Sequence, residues 1–329
     1  MSRQNNADLL ALESWIQSHV NNGAIAVVCG KNGDMDTIGS SISLASIHPN
    51  LMACGLHMNR LSKRLVGDLS APFRILSDKN TSWPSSLAAI IVVDAAAENQ
   101  TGLELPNVPK CVIDHHSTND WKLAEGDLMC QLDARSTTQI IFEFLETFHT
   151  NALTEPVRKF LLAGVITDTG RFKYADEHVF AVTQRILHHT TIDFQEFIEY
   201  IEQDDLTPSE QGVLLRGMQR VKIEQAGPWS LAMTRASTQE SKMANILRGL
   251  QTDVVLITRH RNGETRLTGR AQREAVLEGV KLGSIMENVA QRLGGEGGGH
   301  DGAAGWSGEY DAIAAETAFL DILARTNRS

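Results

Sequence analysis

In the first half of this chain, acidic and imidazole side chains recur directly behind short apolar runs, and that placement restricts what the chain can fold into. Ala24-Ile25-Ala26-Val27-Val28 precedes Asp34 and Asp36, and Ala89-Ile90-Ile91-Val92-Val93 precedes Asp94. Cys111-Val112-Ile113 precedes Asp114-His115-His116, and Leu161-Leu162-Ala163-Gly164-Val165-Ile166 precedes Asp168. Near-continuous apolar strands suit a parallel sheet covered on both faces. Carboxylates and imidazoles at the end of a buried strand are costly unless something uses them. In an open parallel sheet the carboxyl ends of the strands share one edge, and ligands bind there. Asp and His side chains delivered to one edge describe a divalent-metal site. Carboxylate oxygens with imidazole suit Mn²⁺ or Mg²⁺ better than a thiolate-rich zinc site.

The order of elements gives an α/β chain. Asp8 to Val20 reads as an amphipathic helix, Ala24 to Val28 as a strand and Ile38 to Ile47 as a helix. Phe73 to Leu76, Ala89 to Val93 and Lys110 to Ile113 read as strands, and Thr138 to Phe148 and Glu155 to Ile166 as helices. A helical stretch from Val179 to Val221, broken near Leu206-Thr207-Pro208, separates this half from a second strand-rich region. There, Trp229 to Met233 and Asp253 to Thr258 read as strands, and Asn262-Gly263 marks a tight hairpin. The returning strand, Thr265 to Gly269, places Arg266, Thr268 and Arg270 on one face. A helix from Val280 to Leu293 leads into the glycine-rich stretch 294–305. The expected division is a metal-binding domain over residues 1–185, a helical connector over 186–224 and a substrate-binding domain over 225–329.

A length of 329 residues suits two domains, and 42% hydrophobic content gives each enough apolar surface to fold. The net charge of −10 argues against a protein that coats long nucleic acid through a broad basic face. It leaves room for a small anionic substrate, because bound divalent ions reverse the local potential. Cys29, Cys54, Cys111 and Cys130 show no C-x-x-C spacing and lie in or near apolar stretches, as reduced thiols of a cytosolic protein do. No apolar run approaches the length of a membrane span. A cytoplasmic protein with no membrane partner is expected.

Each motif has a plainer reading. One Asp of Asp34-x-Asp36 is explained as a helix N-cap; two, beside further strand ends of the same kind, are not. Asp94 or Asp168 alone would be a turn or cap residue. The glycine run follows a helix and fits neither phosphate-loop pattern. By itself it is equally a turn or a place where backbone N–H groups approach a ligand.

In this order and spacing, Asp34-x-Asp36, Asp94, Asp114-His115-His116 and Asp168 resemble the motifs of the DHH phosphoesterase superfamily. Gly298-Gly299-His300-Asp301-Gly302-Ala303-Ala304-Gly305 resembles the signature of the DHHA1 domain that often follows it. The fold expected is a parallel-sheet DHH domain with helices on both faces, plus a smaller α/β DHHA1 domain. The chain is most similar to the short two-domain group: nanoRNases, phosphatases of adenosine 3′,5′-bisphosphate, and archaeal RecJ-like relatives. The resemblance implies Mn²⁺-dependent hydrolysis of short oligonucleotides or of that bisphosphate, with two ions, Mg²⁺ being the alternative. Asp36, His115 and Asp168 would hold one ion and Asp34 the other, with Asp94 bridging. Asp114 would orient His115 or its neighbour, and His116 would sit near the phosphate. Arg270, Gly298, Gly299 and His300 would bind substrate.

One position departs from the pattern. Many members carry a His four residues before the first Asp, as a ligand of the second ion, and this chain has Gly30 there. A weaker second site is the implied consequence. Aromatic residues make up only 5% of the chain, which favours a short substrate over a long stacked strand. The alternatives are a RecJ-like exonuclease, a phosphodiesterase of linear or cyclic di-adenylate, and a nucleotide-binding protein with impaired catalysis. The resemblance leaves a homodimer open.

Overall fold

Six strands form the parallel sheet that the apolar runs call for: β1 (Ala24–Cys29), β2 (Leu51–Gly55), β3 (Arg74–Ile75), β4 (Leu87–Val93), β5 (Lys110–Asp114) and β6 (Leu128–Gln131). The computed structural model describes residues 3–77, 81–203 and 206–328. Two compact units divide the chain, Met1–Gln203 and Asp204–Ser329. The sheet of the first runs β3-β2-β1-β4-β5-β6, so the strand order reverses between β1 and β4. β2 and β6 were not visible in the sequence. Met, Cys and Gly dilute one of them, and the other spans four residues.

The helices of this unit are α1 (Arg3–Val20), α2 (Met35–Ala45), α3 (Arg60–Asp68), α4 (Thr137–Phe148), α5 (Glu155–Asp168), α6 (Glu177–Leu187) and α7 (Phe194–Glu202). Their buried residues join Ile25, Val27, Ile91, Val93 and Ile113 in one apolar core. The alternate strand residues Ala26, Val28, Ile90 and Val92 face a second, smaller cluster with Leu103, Leu105, Val108 and Trp121. Both faces of the sheet are therefore covered, but by different means. Helices cover one, as expected; the links from β4 to β5 and from β5 to β6 cover the other and hold only a 3₁₀ turn, Glu98–Gln100. A reversal of strand order sends the β4 crossover over the face opposite the β1 crossover. All four cysteines are free and buried.

The second unit holds α8 (Pro208–Gln219), β7 (Lys222–Ala226), β8 (Trp229–Arg235), α9 (Glu240–Leu247), β9 (Val254–Arg261), β10 (Glu264–Ala271), α10 (Arg273–Leu277), α11 (Leu282–Leu293), β11 (Glu296–His300), β12 (Ala303–Gly308) and α12 (Ala312–Ala324). Of the helices within the expected connector 186–224, α7 lies in the first unit and α8 in the second. The sheet is mixed, in the order β11-β12-β10-β9-β8-β7. Its β9–β10 hairpin turns through Asn262 and Gly263 at φ 54° and 82°, the left-handed pair that an Asn-Gly turn favours. Residues of α11 and α12 pack with Leu256, Leu267 and Trp306 on one face, and those of α8 and α9 with Val255 and Ile257 on the other. Among the described residues no helix is long and apolar enough to cross a membrane.

The glycine-rich stretch is two paired strands, β11 and β12, rather than a loop. A Cβ at Gly297 would lie 2.2 Å from the Met286 carbonyl oxygen of α11, and one at Gly299 would lie 2.7 Å from the Ala303 carbonyl oxygen. These two glycines permit close packing. Gly298 differs: the nearest atom to its Cβ would be a Glu287 carboxylate oxygen at 3.9 Å.

Candidate metal centre

The carboxyl ends of β1 and β4, at the point where strand order reverses, are the natural ligand edge of such a sheet. After β1 the chain turns into α2, and Asp34 caps that helix, its Oδ1 accepting from the backbone N–H groups of Asp36 (3.1 Å) and Thr37 (3.2 Å). The capping interpretation thus accounts for Asp34 and not for Asp36. The Asp36 side chain, 1% exposed, reaches the N-terminus of α4. There its oxygens accept from Thr137 N–H at 2.7 Å, Thr138 N–H at 2.8 Å and Thr138 Oγ1 at 2.6 Å. A helix N-terminus favours the ionised carboxylate. Thr138 in turn sits against Gly164 of α5, where a Cβ would lie 2.4 Å from the Thr138 methyl.

Asp94 follows β4 at φ 57°, a left-handed conformation that is strained for a residue with a Cβ. Such outliers gather at functional sites. His115, behind β5, is the hub. Its Nε2 lies 3.5 Å from Asp94 Oδ1, 3.5 Å from Asp168 Oδ2 and 3.9 Å from Asp36 Oδ2. Its Nδ1 faces the Ala134 carbonyl at 3.4 Å, a backing that aims Nε2 inward. His116 is more exposed, and its Nδ1 meets Asp114 Oδ1 at 2.7 Å. Asp114 therefore orients His116 and not His115. The other Asp114 oxygen is buried without a partner among the described residues.

Asp168 is the last residue of helix α5, the helix read at Glu155 to Ile166, so it reaches the same imidazole from a helix end and not from a strand end like the others. The expected residues Asp36, Asp94, His115 and Asp168 are brought together, with His116 beside them. Asp34 belongs to neither of the two metal-competent groups, Asp36-His115-Asp168 and Asp94-His115-His116.

Charge explains what the cluster invites. Burial, and then the charges of Asp94 and Asp168, push the Asp36 carboxyl well above the ordinary carboxylate range. Burial raises Asp168 to about 6 against the opposing pull of His115, and burial followed by Asp94 raises Asp34. For His115, burial alone would lower the pKa; its contact with Asp94 and the charges of Asp36 and Asp168 outweigh that and hold it at about 9. Converging carboxylates in a buried site outnumber the one imidazolium among them, an imbalance that a divalent cation relieves. Oxygen-rich donors with one or two imidazoles fit Mn²⁺ or Mg²⁺.

At Gly30 a Cβ would lie 2.9 Å from the Asp94 carbonyl oxygen and 3.3 Å from Asn32 Oδ1. The space beside it is thus taken up by backbone and by Asn32, whose Nδ2 donates to Asp34 Oδ2 at 2.6 Å. Sequence reasoning missed Asn32, Thr137 and Thr138. The only signal was a Ser-Thr-Thr cluster ahead of an apolar helix.

In the second unit, strand register sets the remaining candidates. Arg270 pairs with Ala303 and Ala303 with His300; Thr268 pairs with Gly305 and Gly305 with Gly298. Paired residues share a face, so Arg270, Gly298 and His300 lie together, while Gly299 lies on the opposite face with Ala304. The Arg270 guanidinium donates to the Gly269 carbonyl at 2.9 Å. Burial, and then the charge of Arg248, holds its pKa below the usual arginine range.

A carboxylate–imidazole cluster able to hold a metal ion, at the reversal point of a parallel sheet and followed by a second mixed-sheet unit, defines a two-domain α/β protein. The chain matches the DHH family, N-terminal domain, over residues 24–167 and the DHHA1 domain over residues 236–326. It belongs to the DHH phosphoesterase superfamily. An uncharacterized protein of Methanocaldococcus jannaschii is 26% identical over 298 residues, covering 87% of this chain and 88% of that protein. The crystal structure of an exopolyphosphatase-related protein from Bacteroides fragilis superposes with a TM-score of 0.73 at 15% identity. It covers 97% of this chain and 96% of its own, and the likeness is one of fold.

Proposed function

We propose that this chain is a divalent-metal-dependent phosphoesterase, with Mn²⁺ the favoured ion, that hydrolyses short oligoribonucleotides or adenosine 3′,5′-bisphosphate. The observation that carries this reading is the convergence of Asp36, Asp94 and Asp168 on Nε2 of His115, within 3.5–3.9 Å. Asp36, His115, Asp168 and Asp94 would hold an ion, and Asp34, outside both metal-competent groups, would contribute to a second. Bound there, such ions supply Lewis acidity that acidifies water and neutralises phosphate charge.

The chain's own residues do the positioning. Thr137 and Thr138 fix the Asp36 oxygens, and the Ala134 carbonyl turns His115 Nε2 toward the carboxylates. Asp114 Oδ1 accepts a hydrogen bond from His116 Nδ1–H and orients that ring; as the imidazolium, His116 would donate its Nε2 proton to the departing oxygen and be left neutral. Within the second unit, Arg270, Gly298 and His300 would bind a phosphate or nucleotide group, arginine through paired hydrogen bonds and Gly298 through an unobstructed backbone.

The test is hydrolysis of adenosine 3′,5′-bisphosphate and of RNA oligomers of graded length, with Mn²⁺ and with chelator. Chelator-sensitive turnover that is fastest on the shortest substrates is expected. Rates that climb beyond about ten nucleotides would replace this reading with a processive single-strand exonuclease. Metal binding without turnover on any of them would leave a nucleotide-binding protein.

A further inference from the structure

Six residues beyond Asp168 an aromatic ring stands in solvent. Tyr174 is 62% exposed and is not part of the apolar core. Its ring rests on Gly170, where a Cβ would lie 3.0 Å from ring atoms Cδ2 and Cε2. Gly170 is two residues from Asp168, a span of at most about 7 Å of chain. Asp168 itself lies 3.5 Å from His115.

The seat is rigid. Gly170, Arg171 and Phe172 have φ of 59°, 58° and 65°, three left-handed residues in a row of which two carry a Cβ. Hydrogen bonds hold them: Arg171 N–H to the Ile166 carbonyl at 2.7 Å, Phe172 N–H to Thr169 Oγ1 at 3.1 Å, and Tyr174 N–H to the Thr169 carbonyl at 2.9 Å. Phe172 turns inward, packing on the core and stacking with Phe180 at 5.6 Å. Tyr174 turns outward. Packing explains Phe172; it does not explain a fixed, exposed tyrosine on a glycine seat beside the metal centre. Lys173 brings its ammonium to 5.3 Å from the Tyr174 ring centroid, a positive charge on the same rim.

We propose that Tyr174 is the stacking residue for the nucleobase of the nucleotide whose phosphate lies at the metal centre. This rests on the reading of that centre as a nucleotide phosphoesterase and adds the group that holds the base. A preformed ring needs no ordering on binding, and every base offers a π-face, so the residue selects for a base without choosing among bases.

The test uses the full chain with Mn²⁺, comparing the dinucleotide pApA with its analogue lacking the stacked base. Tyr174→Ala is expected to raise KM for pApA about tenfold, with kcat within about twofold and the abasic substrate unaffected. Tyr174→Trp should restore the wild-type KM. A second readout avoids turnover: 2-aminopurine ribonucleoside monophosphate, bound with Ca²⁺, should be quenched by the wild type and not by Tyr174→Ala. Hydrolysis of pApA with an unchanged KM in Tyr174→Ala would overturn the stacking role and leave the phosphoesterase reading standing. If the wild type hydrolyses neither dinucleotide nor adenosine 3′,5′-bisphosphate, the phosphoesterase reading fails; equal quenching by both proteins would sink the stacking role.

Discussion

The two units carry their signals in opposite currencies of residue type, polar side chains in the first and bare backbone in the second. In the first, every Asp or His singled out at a run's end is drawn toward one edge of the sheet, most of them within reach of His115. In the second, a glycine run of uniform appearance divides by the alternation of a strand. Gly297 and Gly299 are required by close backbone approach, and Gly298 is not. A carboxylate beside a buried strand has few reasons to be there. A glycine has two, packing and access, and only the neighbours tell them apart.

The comparison breaks most easily at Asp36. Asp36→Asn is nearly isosteric but reduces the ligand's charge, and kcat/KM is expected to fall at least about 100-fold while circular dichroism is unchanged. Activity within tenfold of wild type would mean that the edge does not hold the ion as described. A smaller loss is expected from Thr138→Val, which removes the 2.6 Å hydrogen bond to Asp36 and keeps the shape. Mn²⁺ affinity, read by calorimetry, should drop about tenfold.

The glycines sharpen the contrast. Gly297→Ala should destabilise the chain in urea by about 1–3 kcal/mol, because its Cβ would meet the α11 backbone. Gly298→Ala should change stability by no more than about 0.5 kcal/mol and act instead on KM. Equal stability losses would erase the distinction drawn between them.

The subtlest effect is in protons. In the metal-free protein Asp168 keeps its proton up to about pH 6 and His115 up to about pH 9. A protonated ligand cannot hold an ion, so Mn²⁺ affinity should decline as pH drops below about 9 and more steeply as it drops through about 6. Near neutrality, binding should release protons, that of His115 among them. Calorimetry in two buffers of different ionisation enthalpy measures the release, and zero release would contradict a protonated His115.

Much of this was legible in the sequence where one residue type had one physical explanation. The apolar strands β1, β4 and β5 were placed to within two residues, because unbroken Val and Ile runs have little else to form. β7 was missed: its Lys-Ile-Glu-Gln-Ala is exposed along most of its length, and an edge strand needs no apolar run. β11 was missed because Glu-Gly-Gly-Gly-His has poor strand propensity, and the pairing with β12 overrides it. The helix ahead of Asp168 was read correctly, and only the likeness of its end to a strand end was not, since an apolar run precedes the acid in either case. The Thr137 and Thr138 contacts to Asp36 join residues about a hundred positions apart, and a threonine ahead of a helix reads as a cap and nothing more.

The Gly164–Thr138 contact closes a route that protein engineers often take. Replacing a helix-interior glycine by alanine is a standard thermostabilising change, since it lowers the entropy of the unfolded chain. At position 164 the added methyl would meet Thr138 at 2.4 Å and press on the residue that holds Asp36. A library selected on melting temperature alone would therefore be blind at this position to damage done to catalysis.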